Sequence, residues 1–346
     1  MNNRIIISDI LYPEGHNALT SKWVSILSES FNITLVGKKN YYEGIRKEIP
    51  EIPVIHVRQS FFKRVEFLKT LSVVINLIRV AFAVRRINYD KIVFLSTHNA
   101  ALYFAYRFFK KGSIVVVHHY DIDRTMSLPW ETRIFKKYAN KIHHVVLAEF
   151  IADGLSENFM IDRDLIHVVY QPIIRKSENK SLLKRNDRFI LLGRKNSEKC
   201  VKELIELDKS FNEKNKYQFL VRAKNISYSS ENVEIFDKFM SYDEYCSLLD
   251  TNVACVVIYP DTYRYRYSGV MDDAISHGLY ILCYDIPVGR YFKSQCPNNV
   301  RLFADTEELW KLASCNLPII EEKEYEIFLE SHSDSCVLDQ WISVLR

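Results

Sequence analysis

Glycine and proline are scarce in this chain, nine of each among 346 residues, which excludes collagen-like, low-complexity and disordered classes. The seven cysteines are odd in number and none has C-x-x-C spacing. A disulfide framework is therefore excluded, and buried free thiols in a reducing compartment are expected. No apolar run approaches the roughly 20 residues of a membrane span. Met1-Asn-Asn-Arg4 leads directly into Ile5-Ile6-Ile7 without the apolar leader and small-residue cleavage site of a signal peptide, so a cytoplasmic location is expected. A large excess of one charge is missing too: 47 Lys and Arg against 43 Asp and Glu leave a formal +4, too little for a nucleic-acid wrap.

What is present is 48% apolar and 26% charged sequence, over a length suited to two cores. Short apolar runs alternate with amphipathic stretches of helical length, the pattern of parallel sheets covered by helices, so the fold class is α/β. The first series of strands runs from Arg4 to Tyr170 and the second from Arg188 to Tyr284. Between them, residues 175 to 187 are rich in charge and poor in apolar side chains, the composition of a junction. The expected architecture is two Rossmann-like, doubly wound domains facing a cleft. The first spans residues 1–175, a linker 176–187, and the second 188–325. Residues 326–346 form a helical tail whose apolar positions suit docking on the first domain.

Two segments carry most of the chemistry. Ser268-Gly269-Val270 precedes a helical stretch, where unpaired backbone N–H groups and the helix dipole favour a phosphate. Arg264 and Arg266 stand just upstream and can add charge-assisted bonds to the same anion. Gly193-Arg194 and Lys199 follow the first strand of the second series, beyond the strand end where open α/β sheets bind ligands. Arg194 and Lys199 together with Ser268-Gly269 read as a diphosphate clamp; taken singly, they also fit solvated charge and a capped helix.

These motifs resemble those of the retaining glycosyltransferases of the GT-B fold, particularly family 4 and its relatives in bacterial polysaccharide assembly. Gly193-Arg194 with Lys199 is similar to the family's G-R-x-x-x-x-K-G motif, with Cys200 where glycine is usual. Ser268-Gly269-Val270 through Asp273-Ala274 and Gly278 is similar to S-G-x-x-x-E-A-x-x-x-G. The family often has two glutamates eight residues apart here; this chain has Tyr265 and Asp273. The resemblance implies that Asp273 holds the ribose hydroxyls, while Tyr265 supplies no carboxylate to the donor sugar. It also implies base recognition near Phe239 and Met240 and a glycine loop at Glu14-Gly15-His16. A histidine loop, His118-His119, would face the donor, although a capped strand end is an equal reading of it.

The implied reaction is transfer of a sugar from a nucleotide diphosphate sugar to an acceptor hydroxyl, with retention. Arg194, Lys199 and the helix N-terminus would neutralise the leaving diphosphate, so no metal and no cofactor are expected. The partners are then the nucleotide sugar and a glycan or lipid-linked glycan, with no nucleic acid. Residues 58 to 91 carry eight cations against Glu66 and Asp90, and Phe61-Phe62-Lys63-Arg64 sets two aromatics beside two of them. Peripheral contact with anionic lipid is one reading of this segment, and a helix packed on the sheet is the other. On this reading Lys69, Ser72, Asn76, Arg79 and Arg86 form the polar stripe of the helix. Two other functions fit the same sequence. One is a catalytically silent GT-B partner or chaperone subunit, suggested by Tyr265 and Cys200, and the other a nucleotide-sugar epimerase.

Overall fold

The computed structural model describes residues 3–10, 17–38, 42, 51–60, 66–174, 185–193, 196–211, 213–238 and 240–346. The chain divides into two compact units. One comprises Met1–Ile174, Tyr265–Tyr267 and His332–Arg346, the other Arg175–Arg264 and Ser268–Ser331.

The first unit is built on a parallel sheet of seven strands: β1 (Arg4–Asp9), β2 (Asn32–Gly37), β3 (Val54–His56), β4 (Lys91–Ser96), β5 (Ile114–Val117), β6 (His143–Val146) and β7 (Ile166–Val168), in the order β3-β2-β1-β4-β5-β6-β7. Continuous Ile and Val runs form the central strands because both sheet faces are covered; Ile114–Val117 is buried along its whole length. The helices are α1 (Asn17–Ser28), α2 (Glu66–Val84), α3 (Asn99–Ala105), α4 (Asp121–Ser127), α5 (Pro129–Lys136) and α6 (Glu149–Phe159).

The second unit repeats the plan with β8 (Asn186–Leu191), β9 (Gln218–Arg222), β10 (Tyr228–Ser229), β11 (Val233–Phe236), β12 (Asn252–Val257), β13 (Tyr280–Tyr284) and β14 (Val300–Phe303). Their order is β10-β11-β9-β8-β12-β13-β14, with only the β10–β11 pair antiparallel. Its helices are α7 (Glu198–Ser210), α8 (Tyr242–Thr251), α9 (Gly269–Ser276), α10 (Pro287–Gln295), α11 (Thr306–Leu312) and α12 (Glu322–Ser331). Aromatic stacks fill its core, with Phe219 on Trp310 at 5.8 Å and Phe189 on Tyr217 at 4.7 Å. In both sheets the strand order reverses beside the first strand of the series, at β1/β4 and at β8/β12. Such switch points leave a crevice at the strand carboxyl ends.

The acidic helix α12 stays with the second unit, whereas the last helix, α13 (Asp334–Leu345), belongs to the first. There Trp341 is fully buried and meets the Trp23 indole of α1 edge-on at 6.1 Å, and Asp334 pairs with Lys22 at 2.6 Å.

Of the polar stripe of α2, Ser72 and Asn76 are buried and Arg79 is half-buried, while Arg86 lies exposed beyond the helix end. Asn76 is completely buried, accepting from Ser60 N–H at 2.9 Å and donating to Ser60 C=O at 3.1 Å. Arg79 donates to the Arg58 carbonyl at 2.9 Å and the Ser60 hydroxyl at 2.8 Å. The stripe grips residues 58–60, which have no ladder partner for these groups. Leu71 and Phe82 are left exposed on the same helix. Phe61, Phe62, Lys63 and Arg64 lie outside the described residues. No described helix is long and apolar enough to cross a membrane.

Candidate functional site

The carboxyl end of the second unit's sheet holds part of the motif reading: Gly193, Ser268 and Asp273. After β8 the chain turns at Gly193, and Ser197 N–H donates to the Ile258 carbonyl at the end of β12 at 2.8 Å, closing the loop over the switch point. Asn196 holds the turn by donating to the carbonyls of Leu191 at 3.0 Å and Arg222 at 3.4 Å. A Cβ on Gly193 would stand 3.0 Å from Asn196 Oδ1 and 3.3 Å from the Tyr259 ring, so the absent side chain is what lets this loop lie against Tyr259.

Tyr259 in turn reaches the α9 N-terminus, its hydroxyl 3.1 Å from Ser268 Oγ. Ser268 is the buried N-cap of α9, with its side chain accepting from Met271 N–H at 3.4 Å. By helix geometry, the Gly269 and Val270 N–H groups are then first-turn donors without an intrahelical acceptor. At the other end, Gly278 turns the chain out at φ +68°, a left-handed conformation that favours glycine. Arg185 donates to the carbonyls of His277 at 2.5 Å and Gly278 at 2.9 Å, so the helix C-terminus is satisfied within the unit.

Asp273, one turn into α9, accepts from the Tyr245 hydroxyl at 2.9 Å. Burial pushes its carboxyl up to about 6, against a smaller downward pull from that hydrogen bond. Its charge therefore changes close to neutral pH. A cavity of about 480 Å³ adjoins the Gly193 turn, bordered by Asn196, Arg222 and Lys224 together with the carboxylates Glu198 and Asp237. Arg222 and Lys224 supply cations there.

Other expected site residues are placed elsewhere. Lys199 lies on the outer face of α7, with 84% of its side chain exposed and 3.5 Å from Glu203. Met240 lines a separate cavity with Arg188 and Leu248. Arg264 is exposed and donates to the Asp261 carbonyl at 3.4 Å. Tyr265 and Arg266 belong to the first unit, where Asp123 takes both: Tyr265 N–H at 2.8 Å and Arg266 Nε at 2.7 Å. The Tyr265 ring occupies the space where a Cβ on Gly154 would be, and its hydroxyl accepts from Asn158 at 3.1 Å. Gly15, Arg194 and Phe239 lie outside the described residues.

The carboxyl end of the first unit's sheet is a layer of side chains bonded to one another. His118 is buried, with Nδ1 2.5 Å from Asp121 and Nε2 2.8 Å from His144 Nδ1. His144 Nε2 faces the Ala139 carbonyl at 3.0 Å and must donate to it. Burial, reinforced by His118, lowers the His144 pKa to about 3, so its ring is neutral and Nδ1 accepts. His118 Nε2 then donates. Burial alone would raise Asp121, but the His118 charge and hydrogen bonds bring it below the ordinary carboxylate value. Both ring nitrogens expected to meet a sugar hydroxyl are engaged inside the unit. His119 is half-buried and packs on Trp23 with ring centroids 5.8 Å apart. His98 caps α3 by accepting from Ala101 N–H, and Ser96 donates to the buried Asp9 carboxylate.

No family model matches the sequence, and no curated protein matches it. Solved structures do match, along almost the entire chain. A glycosyltransferase from Rickettsia africae superposes with a TM-score of 0.65 at 15% identity, covering 99% of this chain and 98% of the other. Anabaena HepE in complex with UDP and glucose gives 0.65 at 13%, covering 99% of both. A UDP-N-acetylglucosamine 2-epimerase from Rickettsia bellii gives 0.57 at 10%, covering 99% and 96%. The fold is the two-domain α/β fold of the GT-B glycosyltransferases, which these epimerases share.

Four residues of the two sheet ends had no motif to announce them. Tyr259 and Tyr245 are single aromatics in an aromatic-rich chain, Arg222 ends an ordinary strand, and Asp123 sits in a short acidic helix. Only their three-dimensional neighbours give them roles. The downstream spacing of Tyr265 and Arg266 from Tyr259 carried no sign that they would pack on α6 and Asp123.

Proposed function

We propose that the protein is a glycosyltransferase that moves a sugar from a nucleotide diphosphate sugar to an acceptor hydroxyl, with retention at the anomeric carbon. The observation that carries this is the convergence of the Gly193 turn, the Tyr259–Ser268 contact and the α9 N-terminus at the β8/β12 switch point, beside a cavity with Arg222 and Lys224. Backbone donors and the positive end of a helix stabilise an anion without moving, so they stabilise most strongly the state in which the diphosphate gains charge as its bond to the sugar breaks. On this reading the α9 N-terminus does this at the switch point, Arg222 and Lys224 supply cations at the neighbouring cavity, and no metal ion is required. Asp273, above its pKa of about 6, accepts from ribose hydroxyls.

The acceptor on this reading is a lipid-linked oligosaccharide or surface polysaccharide, met at an anionic membrane face. The exposed Leu71 and Phe82 of α2, followed by Arg85 and Arg86, support such peripheral contact. A nucleotide-sugar epimerase is the second reading, favoured by epimerases among the similar folds.

The test is ligand-detected NMR against uridine, guanosine, cytidine and thymidine diphosphate sugars, with Gly193→Val as control. Binding of one nucleotide that the variant loses, followed by acceptor-dependent release of nucleoside diphosphate, is the expected result. A sugar altered without acceptor identifies the epimerase. No binding to any nucleotide turns the assignment to a silent partner subunit.

A further inference from the structure

At the amino ends of β5 and β6, opposite the strand ends just described, the first unit holds a cavity of about 660 Å³. Arg107, Lys110, Lys111 and Lys141 border it, together with Tyr106 and His143, and no carboxylate is among its lining residues. Like charges so close repel one another, and a fold keeps such a group only at a cost unless an anion offsets it.

The cavity is also organised rather than a loose run of surface lysines. Arg107 and Lys141 both sit over the Tyr106 ring, 5.7 and 5.8 Å from its centroid, which pins two cations on one aromatic. Lys91 Nζ donates to the Gly112 carbonyl at 3.2 Å, fixing the Lys111-Gly112 turn whose glycine has φ +72°. The same ammonium lies 3.4 Å from His143 Nε2, which must accept, so His143 Nδ1 donates to His167 Nε2 at 3.1 Å. Burial, then Lys91 and His167, lower the His143 pKa to about 4, so the ring is neutral and presents no competing charge. Phe108, next in sequence to Arg107, is 54% exposed and pairs with the 56% exposed Phe82 at 6.3 Å. An apolar surface thus adjoins the basic cavity.

We propose that this cavity binds a phosphate group, at a site separate from the nucleotide-sugar site and independent of the transferase reading. A guanidinium and three ammonium groups suit a phosphate dianion, with Arg107 supplying directional paired donors and the lysines compact charge. The phosphate comes either from a soluble anion or from a lipid head group, and the exposed phenylalanines matter only for the second.

The test uses the full chain and two probes at constant ionic strength. Sodium phosphate is titrated while the amide resonance of Gly112 is followed, and sedimentation is measured with phosphatidylcholine vesicles with and without phosphatidylglycerol. The variant Arg107→Ser/Lys110→Ser/Lys111→Ser alters three exposed side chains, and circular dichroism checks that it folds. A Gly112 shift with phosphate that weakens tenfold or more in the variant supports the site. If vesicles containing phosphatidylglycerol also sediment the parent, and Phe82→Ser/Phe108→Ser abolishes that while leaving the phosphate shift, the source is a lipid head group. A phosphate shift without vesicle binding assigns a soluble source. Absence of both, or equal response of parent and triple variant, overturns the proposal. Nucleoside diphosphate binding is measured alongside in parent and triple variant, and affinity that the triple variant retains reports on the second unit.

Discussion

The carboxyl ends of the two sheets are built in opposite ways. In the first unit, side chains satisfy side chains: Asp9 with Ser96, His118 with Asp121 and His144, and Asn99 Nδ2 with Thr125 at 2.9 Å. In the second, the same position is occupied by a glycine turn, a serine cap and a helix start, with backbone donors beside a cavity. Two sheets that share a switch point beside their first strand therefore diverge where ligands bind in this class of fold. A buried, fully bonded polar layer fixes geometry, whereas donors left for a ligand can bind one. The comparison teaches that the histidine-rich segment at the carboxyl end of the first sheet is scaffold at His118, and that at this end of the two sheets the proposed nucleotide site falls to the second.

The largest test of that contrast is Asp121→Ala. Removing the carboxylate leaves the buried His118 Nδ1 without its partner, and an unsatisfied buried polar group costs about 1–3 kcal/mol. Denaturant unfolding should show a loss of that order, while affinity for the nucleotide sugar in the surviving folded protein stays within about twofold. Unchanged stability would mean that the layer is not the scaffold described.

Asp273→Asn sharpens the other side. A carboxylate accepting ribose hydroxyls makes charge-assisted bonds of about 1.5–3 kcal/mol, so the variant should bind nucleotide sugar at least about tenfold more weakly at pH 8. With the parent carboxyl at about 6, its affinity should fall as the pH drops from 7 to 5, and the variant should be flat across that range. Stability moves the opposite way. The folded pKa lies above the ordinary value of 3.8, so the folded protein binds the extra proton between the two. Parent stability is therefore lost as the pH rises through roughly 4 to 6, and Asn abolishes that slope. Equal affinity profiles for parent and variant would remove Asp273 from the donor site. Ser268→Ala comes next, losing the α9 cap and the Tyr259 contact for about 1 kcal/mol in thermal unfolding. If the α9 N-terminus holds the diphosphate, nucleotide affinity falls in the same variant.

Much of this was legible in the sequence, because burial on both faces makes parallel strands into uninterrupted Ile and Val runs. The junctions and alternation gave two α/β units, and Ser268-Gly269 with Gly278 marked both ends of α9. The strand Val300–Phe303 was not legible, since a four-residue strand with an exposed Arg301 lacks such a run. Helix α10 follows β13 with only a short turn and opens on Pro287, so no loop separates its signal from the strand. On α2, spacing tells that Asn76 and Arg79 share a face but not what covers it. Long-range pairs such as Asp123 with Tyr265 and Arg266 are 142 and 143 positions apart and leave no local pattern.

The smallest effect is expected at Tyr265, the position where the resembling enzymes often carry an acid. Its hydroxyl accepts one bond from Asn158 and its ring lies over Gly154. Tyr265→Phe keeps the ring and the Asp123 bond to its backbone, and removes a half-buried neutral hydrogen bond of about 0.5–1.5 kcal/mol. Thermal unfolding should show a loss at the low end of that range, because Asn158 also donates to the Gly154 carbonyl at 2.7 Å and keeps a partner. KM for the nucleotide sugar should not change. A rise in KM of tenfold with stability intact would mean that the hydroxyl touches the donor, and the contrast between the two sheets' carboxyl ends would fail at the residue where this chain departs from the resembling motif.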